Sequence, residues 1–417
     1  MRTREENSTA KSRIRSAATL LFTFILGVGL ALGLLTLFGE LAPGPAADEG
    51  GSASSIVATI AFVIVAGFLA LAVHEVGHAI GGRIHGMGLG MLIVGPVHIQ
   101  RESDGRLRWR LNRRLSLAGG VVSSVPGRTE GLRRAMLSFA AGGPVTSIVV
   151  GVLVFAIYLL TDLGDTGAAQ GPLQDALAAG VFFLGLVSVG IGFVTLLPIN
   201  QGAFVNDGKR ILRLLRPGAS ADAYAAIMAV GAYTIAGVRA SDRDPGLIAQ
   251  AASLGDGSHE DLAGRLAAHA YALDRGDIEA AGEHIRYLLD RRAEAYPPYQ
   301  PVIDLTAAYF EAVYGGDAAS ARSRLEGAGK SALLAFDPTA RTRTEGAVLL
   351  AEGDAEGASA KFREAYNTLE SEWNWGNEST MAEIRRLCRE GGLPDPTADR
   401  SAANACWASS DGAEGSP

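Results

Sequence analysis

The residues best suited to chemistry in this chain are two histidines and a glutamate in the segment His74-Glu75-Val76-Gly77-His78. On a helix, His74 and His78 are four positions apart and share a face, which is the spacing at which two imidazoles bind one zinc ion. Glu75 lies next to them and can act as the base for a metal-bound water. The segment therefore predicts metal-assisted hydrolysis of peptide bonds.

The motif lies within an apolar stretch, residues 55–80, that is long enough to cross a bilayer. An ionisable side chain at membrane depth costs roughly 3 kcal/mol, so such residues are expected there only with a functional partner. A bound metal ion or a water-filled cavity would be such a partner. The sequence thus predicts a zinc site within the membrane.

Three other stretches are long and apolar enough to span a membrane: 17–38, 136–160 and 176–199. The first follows a basic N-terminus, residues 1–16, and its apolar run exceeds the roughly 7 to 15 residues of a signal-peptide core, so we interpret it as a retained anchor. The predicted fold class is mainly α, with a polytopic bundle of about four membrane helices.

Positively charged residues predict the orientation of these spans. The connections 39–54 and 161–175 contain no Lys or Arg, whereas the segment between the second and third spans and the segment after the fourth are rich in Arg. By the positive-inside rule, both termini and both basic segments are cytoplasmic. We therefore expect a multi-pass protein of the cell membrane, with the histidine pair toward the cytoplasmic end of its span.

A catalytic zinc site needs a third protein ligand. Asp207 is the sole acidic residue between Ala176 and Ala221, and it follows the fourth span on the cytoplasmic side, where the histidines also lie. His85 and His98 are further candidates for metal binding. They lie outside the spans in the basic segment, where a solvated or interfacial histidine is the default interpretation.

Over residues 17–216 the chain resembles the site-2 protease family of intramembrane zinc metalloproteases. The resemblance rests on the His-Glu-x-x-His motif, on a Gly-Gly-Pro sequence at 142–144, and on a Leu-Pro sequence at 197–198 that leads to Asp-Gly at 207–208. It implies that residues 17–216 form an intramembrane metalloprotease core. It also implies substrates that are membrane-anchored regulatory proteins, from which cleavage releases a cytosolic fragment.

The resemblance further implies a role for each matching residue. His74, His78 and Asp207 would hold Zn²⁺, and Glu75 would polarise the catalytic water. Substrate-binding roles would fall to five residues around the third and fourth spans: Gly143, Pro144, Ser147, Thr195 and Pro198.

The chain departs from the family pattern at two of these positions and in one interval. The family often has Asn where this chain has Ser147 and Thr195, and a shorter interval between Pro198 and Asp207. The Gly-Gly-Pro sequence also has an equal alternative interpretation, because small residues commonly allow close contact between membrane helices.

Residues 97–111 read as a β-hairpin. Apolar residues alternate with polar ones around Asp104-Gly105, a strong signal for a two-residue turn. An exposed strand here could pair with an unwound substrate segment. Equally, the hairpin could be a basic amphipathic ribbon that lies on the headgroups of the lipid bilayer.

The C-terminal half differs in composition from the membrane core. Residues 217–256 read as an amphipathic connection, in which 219–238 is an interfacial or packed helix rather than a fifth span. Residues 257–390 show a Gly-Asp turn that recurs about every 40 residues, which resembles tetratricopeptide repeats and predicts stacked helical hairpins. Such repeats bind peptides or proteins, although a plain helical bundle is an alternative. The tail, 391–417, has the composition of a disordered segment.

The overall composition excludes some classes of function. Lys and Arg number 37 and Asp and Glu 44 among 417 residues, a net charge of −7, so no basic excess indicates a nucleic-acid partner. The two cysteines, Cys388 and Cys406, are too few for a disulfide framework and lie far along the chain from the histidines.

Two other classes of function compete with the protease. One is a catalytically inactive membrane scaffold that recruits partners through its helical repeats, and the intact motif with Asp207 argues against it. The other is a zinc-binding sensor or transporter. The sequence offers one evident metal site and no further intramembrane relay of acids or histidines, which argues against transport.

The charge pattern makes a testable prediction about topology. A reporter fused after Gly246 is expected in the cytoplasm, and one inserted near Gly51 outside the cell, because the basic segments flank the spans on the cytoplasmic side. Paired phosphatase and fluorescent-protein fusions measure both positions. An external signal at Gly246 would mean that residues 219–238 form a fifth span.

Overall fold

A computed structural model describes most of the chain, in the following ranges: 53–101, 105–112, 119–161, 172–201, 204–331, 333–334, 337–371 and 377–397. The basic N-terminus 1–16, the predicted first span 17–38 and most of the predicted tail lie outside these residues. The chain divides into two compact units, Met1–Ala232 and Tyr233–Pro417.

Three long apolar helices dominate the first unit: α1 (Ala53–Ile84), α2 (Leu132–Leu160) and α3 (Pro172–Leu196). Within the described chain these three are long and apolar enough to cross a membrane. They match the second, third and fourth predicted spans, and each packs against the other two.

The outer faces of these helices are apolar. Ile64, Leu153 and Phe193, one on each helix, are all more than half exposed. Water is a poor solvent for such a surface, whereas lipid chains are a good one. A mainly α architecture with a membrane-type bundle is therefore confirmed.

Glycines bring α1 and α2 into backbone contact. A Cβ on Gly81 would lie 2.2 Å from the carbonyl oxygen of Ser138, and a Cβ on Gly142 would lie 2.3 Å from that of Gly77. The Ser138 hydroxyl donates a hydrogen bond to the Gly81 carbonyl at 2.8 Å. Gly142 therefore allows close packing of two helices, which is the alternative interpretation of the Gly-Gly-Pro sequence given above.

A four-stranded antiparallel sheet lies between α1 and α2 in the chain, with the order β3-β2-β1-β4. Its strands have the following bounds: β1 Gly88–Val94, β2 Val97–Arg101, β3 Leu107–Leu111 and β4 Val121–Val125. The predicted hairpin at 97–111 is confirmed as β2 and β3, with Ile99 opposite Trp109. Its connection, 102–106, is longer than the expected two-residue turn.

A short connection follows α3. Strands β5 (Asn200–Gln201) and β6 (Phe204–Val205) pair antiparallel, and α4 (Asp207–Leu215) begins directly after them. Helix α5 (Ala219–Ile235) is not among the helices of the described chain that could span a membrane. The Ser123 hydroxyl in β4 donates a hydrogen bond to the carbonyl of Ala232 in this helix at 3.0 Å.

The second unit consists of helices joined by short turns. In chain order they are α6 Pro245–Ala251, α7 His259–Asp274, α8 Ile278–Asp290, α9 Gln300–Phe310, α10 Ala318–Gly327, α11 Ala340–Ala351, α12 Ala355–Ser371 and α13 Asn377–Glu390. Their cores are built from side chains such as Leu262, Ile303 and Phe362, which are fully buried.

The recurring Gly-Asp pairs make three equivalent turns between these helices. Each glycine has a positive φ, and each aspartate accepts a hydrogen bond at 2.9–3.0 Å from the backbone N–H three residues later: Gly276-Asp277, Gly316-Asp317 and Gly353-Asp354. Glycine ends one helix in the left-handed region, and aspartate caps the next. The pairs predicted from sequence therefore join α7 to α8, α9 to α10 and α11 to α12.

Candidate metal centre

Two histidines of α1 and one aspartate of α4 converge in a buried cluster. The Nε2 atoms of His74 and His78 lie 3.2 Å apart. The Oδ2 atom of Asp207 lies 3.3 Å from the first and 3.4 Å from the second. All three side chains are buried, and in the described residues they form the group that could hold a metal ion.

Asp207 reaches the histidines because α4 begins against the end of α3. A Cβ on Gly208 would lie 1.8 Å from the carbonyl oxygen of Leu196, so glycine is required after the aspartate. The long interval after Pro198 is taken up by β5 and β6. The backbone N–H of Asn206 then donates to the Ile199 carbonyl at 3.2 Å, which closes this connection.

Each imidazole also makes a hydrogen bond through its other nitrogen. Nδ1 of His78 lies 2.7 Å from the carbonyl oxygen of Phe139, and Nδ1 of His74 lies 3.0 Å from the hydroxyl oxygen of Ser147. A carbonyl oxygen only accepts hydrogen bonds, so Nδ1 of His78 carries the proton and Nε2 presents its lone pair. Such outer contacts orient metal-binding histidines.

Gly143 lies directly against the imidazole ring of His78. A Cβ at this position would lie 2.4 Å from Nε2 of the imidazole. The neighbouring Pro144 is buried within α2, and a Cβ on Gly192 of α3 would lie 2.9 Å from its carbonyl oxygen. Gly143 therefore makes room for an imidazole, and Pro144 lies at a helix contact.

Glu75 follows His74 on α1 and is buried beside the cluster. Its carboxylate lies against the backbone of Gly120, where a Cβ would come within 2.4 Å of Oε1. Gly120 has a φ of 99°, a conformation that other residues rarely adopt. Gly120, directly before β4, thus lies in close contact with the carboxylate.

The free oxygen of Asp207 faces a positive charge. Nη1 of Arg210, one turn further along α4, lies 3.6 Å from Oδ1. Burial alone would raise the pKa of Asp207, but the two neighbouring histidines and the charge of Arg210 hold it well below its usual range. The ionised carboxylate is the form in which Asp207 could bind a metal ion.

The remaining predicted residues lie in other surroundings. The Thr195 hydroxyl donates to the Gly192 carbonyl of its own helix at 3.3 Å, and Pro198 is exposed in the turn that follows. His85 lies after α1, and His98 lies in β2 opposite Arg110. Neither histidine belongs to the metal-capable group found in the described residues.

Sequence reasoning missed three contributors to this site. The Phe139 carbonyl gives no sequence signal, because every residue has one. Arg210 is one of several positive charges after the fourth span, and its type and position alone do not indicate a contact with Asp207. Gly120 stands in a Gly-Gly pair before a strand, and that pair is the signal which could have marked a close approach of the backbone.

Comparison with known proteins gives no relative. No family model, no curated protein and no solved structure matches this chain. The chemistry of the site therefore has to be inferred from its own geometry.

Gly143→Ala is expected to weaken metal binding, because the new methyl group would displace the His78 imidazole. We expect Zn²⁺ affinity, measured by chelator competition, to fall by about tenfold or more, the range known for disturbed ligand orientation. Gly190→Ala is the matched control, since its Cβ would meet no atom within 4 Å. Unchanged affinity in Gly143→Ala, at equal helicity by circular dichroism, would contradict this packing.

Proposed function

We propose that this chain is a zinc-dependent intramembrane endopeptidase. It would hydrolyse peptide bonds in or near the transmembrane segments of membrane-anchored, regulatory proteins. The observation that carries the proposal is a buried cluster in which two imidazoles, on a helix long enough to cross a membrane, meet the carboxylate of Asp207 from α4, with Glu75 next to His74 on the same helix. The resemblance to site-2 proteases supports the same activity.

The separations of the ligand atoms suit zinc. Zinc binds imidazole nitrogen and carboxylate oxygen at about 2.0 to 2.2 Å, so the ligand atoms of a tetrahedral site are about 3.3 to 3.6 Å apart. The three separations here are 3.2, 3.3 and 3.4 Å. Two neutral imidazoles and one carboxylate also match the donor sets of catalytic zinc sites, which leave a fourth position for water.

Glu75 is the residue we assign to proton transfer. A bound zinc ion would lower the pKa of its water and polarise the scissile carbonyl group. Because Glu75 is one position after His74, it lies about 100° around the helix from that ligand and is free to act as a base. Its carboxylate takes the proton of the attacking water and returns it to the leaving amine. The contact with Gly120 limits its motion.

The substrate must unwind before it can be cleaved. A transmembrane helix holds its carbonyl groups in internal hydrogen bonds, so segments with helix-weakening residues are the preferred substrates. Strand β3 is the last strand on its side of the sheet, and its residues are exposed, including Trp109 at 76%. An unwound segment could add to this edge as a further strand.

The remaining parts of the proposal concern location and partners. The charge pattern supports a cell-membrane protein with both termini in the cytoplasm. The helical hairpins within residues 257–390, with their three equivalent Gly-Asp turns, support a tetratricopeptide-like module that selects substrates or binds a partner protein.

Glu75→Gln is expected to abolish most cleavage while zinc stays bound. The amide has nearly the same shape but cannot accept the proton, so we expect a loss of about 10²- to 10⁴-fold, the usual contribution of a general base. Purified protein in liposomes would be assayed by mass spectrometry on a membrane peptide with helix-weakening residues. Zinc content would be measured by elemental analysis.

Glu130→Gln is the control, because Glu130 is exposed and lies outside the cluster. Cleavage by Glu75→Gln at the wild-type rate would rule out the assigned role. If the wild-type protein binds one zinc ion per chain yet cleaves no membrane substrate, the scaffold or sensor alternative replaces the protease.

A further inference from the structure

Ser147 is the residue whose side chain contacts His74, one of the two histidines of the cluster. It lies in α2, three residues after Pro144, and is completely buried. Its hydroxyl oxygen lies 3.0 Å from Nδ1 of His74. The resemblance to site-2 proteases suggested a substrate-binding role for this position, whereas the contact joins it to the outer nitrogen of a metal-binding imidazole.

The two histidines differ in what fixes their tautomer. The Phe139 carbonyl can only accept a hydrogen bond, so this contact is sufficient to keep the proton of His78 on Nδ1. A hydroxyl group both donates and accepts. If the Ser147 hydroxyl accepts from Nδ1, Nε2 of His74 turns a lone pair toward Asp207, and if it donates, Nε2 carries a proton that blocks a metal.

We propose that Ser147 is a positioning residue that keeps the proton of His74 on Nδ1 and so leaves Nε2 free for the metal ion. This inference rests on the zinc site of the proposed function. Ser147 thus does for His74 what a backbone carbonyl does for His78.

Ser147→Ala should weaken zinc binding by about 10- to 100-fold, the usual effect of losing an outer partner of a ligand. Affinity would be measured by chelator competition on the purified full chain. Ser147→Thr keeps the hydroxyl and should restore most of the affinity. Ser188→Ala is the matched control, since Ser188 is equally buried on α3 and its hydroxyl has no hydrogen-bond partner in the described structure.

A second measurement does not depend on activity or on bound zinc. Nitrogen-15 NMR of histidine-labelled, metal-free wild-type protein reports which nitrogen of each imidazole carries the proton. We expect Nδ1–H for both His74 and His78, assigned by single His→Gln variants. In Ser147→Ala, the His74 signal should shift toward the Nε2–H form while that of His78 stays unchanged.

The possible outcomes separate this inference from the proposed function. Wild-type zinc affinity in Ser147→Ala, an equal loss in Ser188→Ala, or a wild-type His74 with its proton on Nε2 would each overturn the role of Ser147. A wild-type protein that binds no zinc would overturn the proposed function itself. A loss of substrate affinity with zinc affinity intact would return Ser147 to a substrate-binding role.

Discussion

The backbone contact between α1 and α2 is the constraint on which the site depends. Gly81 and Gly142 let the two helices approach until carbonyl oxygens lie where side chains would otherwise be. At that separation, the Phe139 carbonyl and the Ser147 hydroxyl reach the outer nitrogens of the two histidines. Larger residues at the glycines would move α2 outward, and both imidazoles would lose their orientation.

The polar interior of the bundle is organised so that few polar atoms lack a partner. A buried imidazole or carboxylate is costly in apolar surroundings unless it is hydrogen-bonded or binds a metal. Asp207 lies within 3.4 Å of both histidines, as a shared metal ion would require, and 3.6 Å from Arg210, and each histidine has a partner on α2. The outer faces of the same helices carry large apolar residues. The bundle is thus polar where the helices meet and apolar where lipid would surround them.

Sequence reasoning identified the parts of the structure that depend on local spacing. The four-residue interval placed His74 and His78 on one helix face, hydrophobic length predicted three of the described helices, and the Gly-Asp pairs gave the turns of the second unit. Strands β1 and β4 were missed. The buried run in β1 is continuously apolar and follows a span directly, so it lacks the alternation that marks a strand.

Contacts between distant segments could not be read from the sequence. Nothing in the chain indicates that Ser147 would meet His74, because the two residues are 73 positions apart and their contact depends on how two helices pack. Gly120 against Glu75 is a similar case, in which a backbone conformation decides the contact. Asp207 is predictable because it is the sole acidic residue between Ala176 and Ala221. The need for glycine at position 208 is not, because it depends on the contact with the end of α3.

X-ray absorption at the zinc edge of the purified full-length protein tests the central claim most directly. We expect one zinc ion per chain, bound to two imidazole nitrogens and to oxygen atoms from Asp207 and water, at about 2.0 to 2.2 Å. No sulfur should contribute, because the metal-capable group found in the described residues consists of two histidines and an aspartate. A protein that binds no zinc, or a spectrum with sulfur at about 2.3 Å, would contradict the assignment.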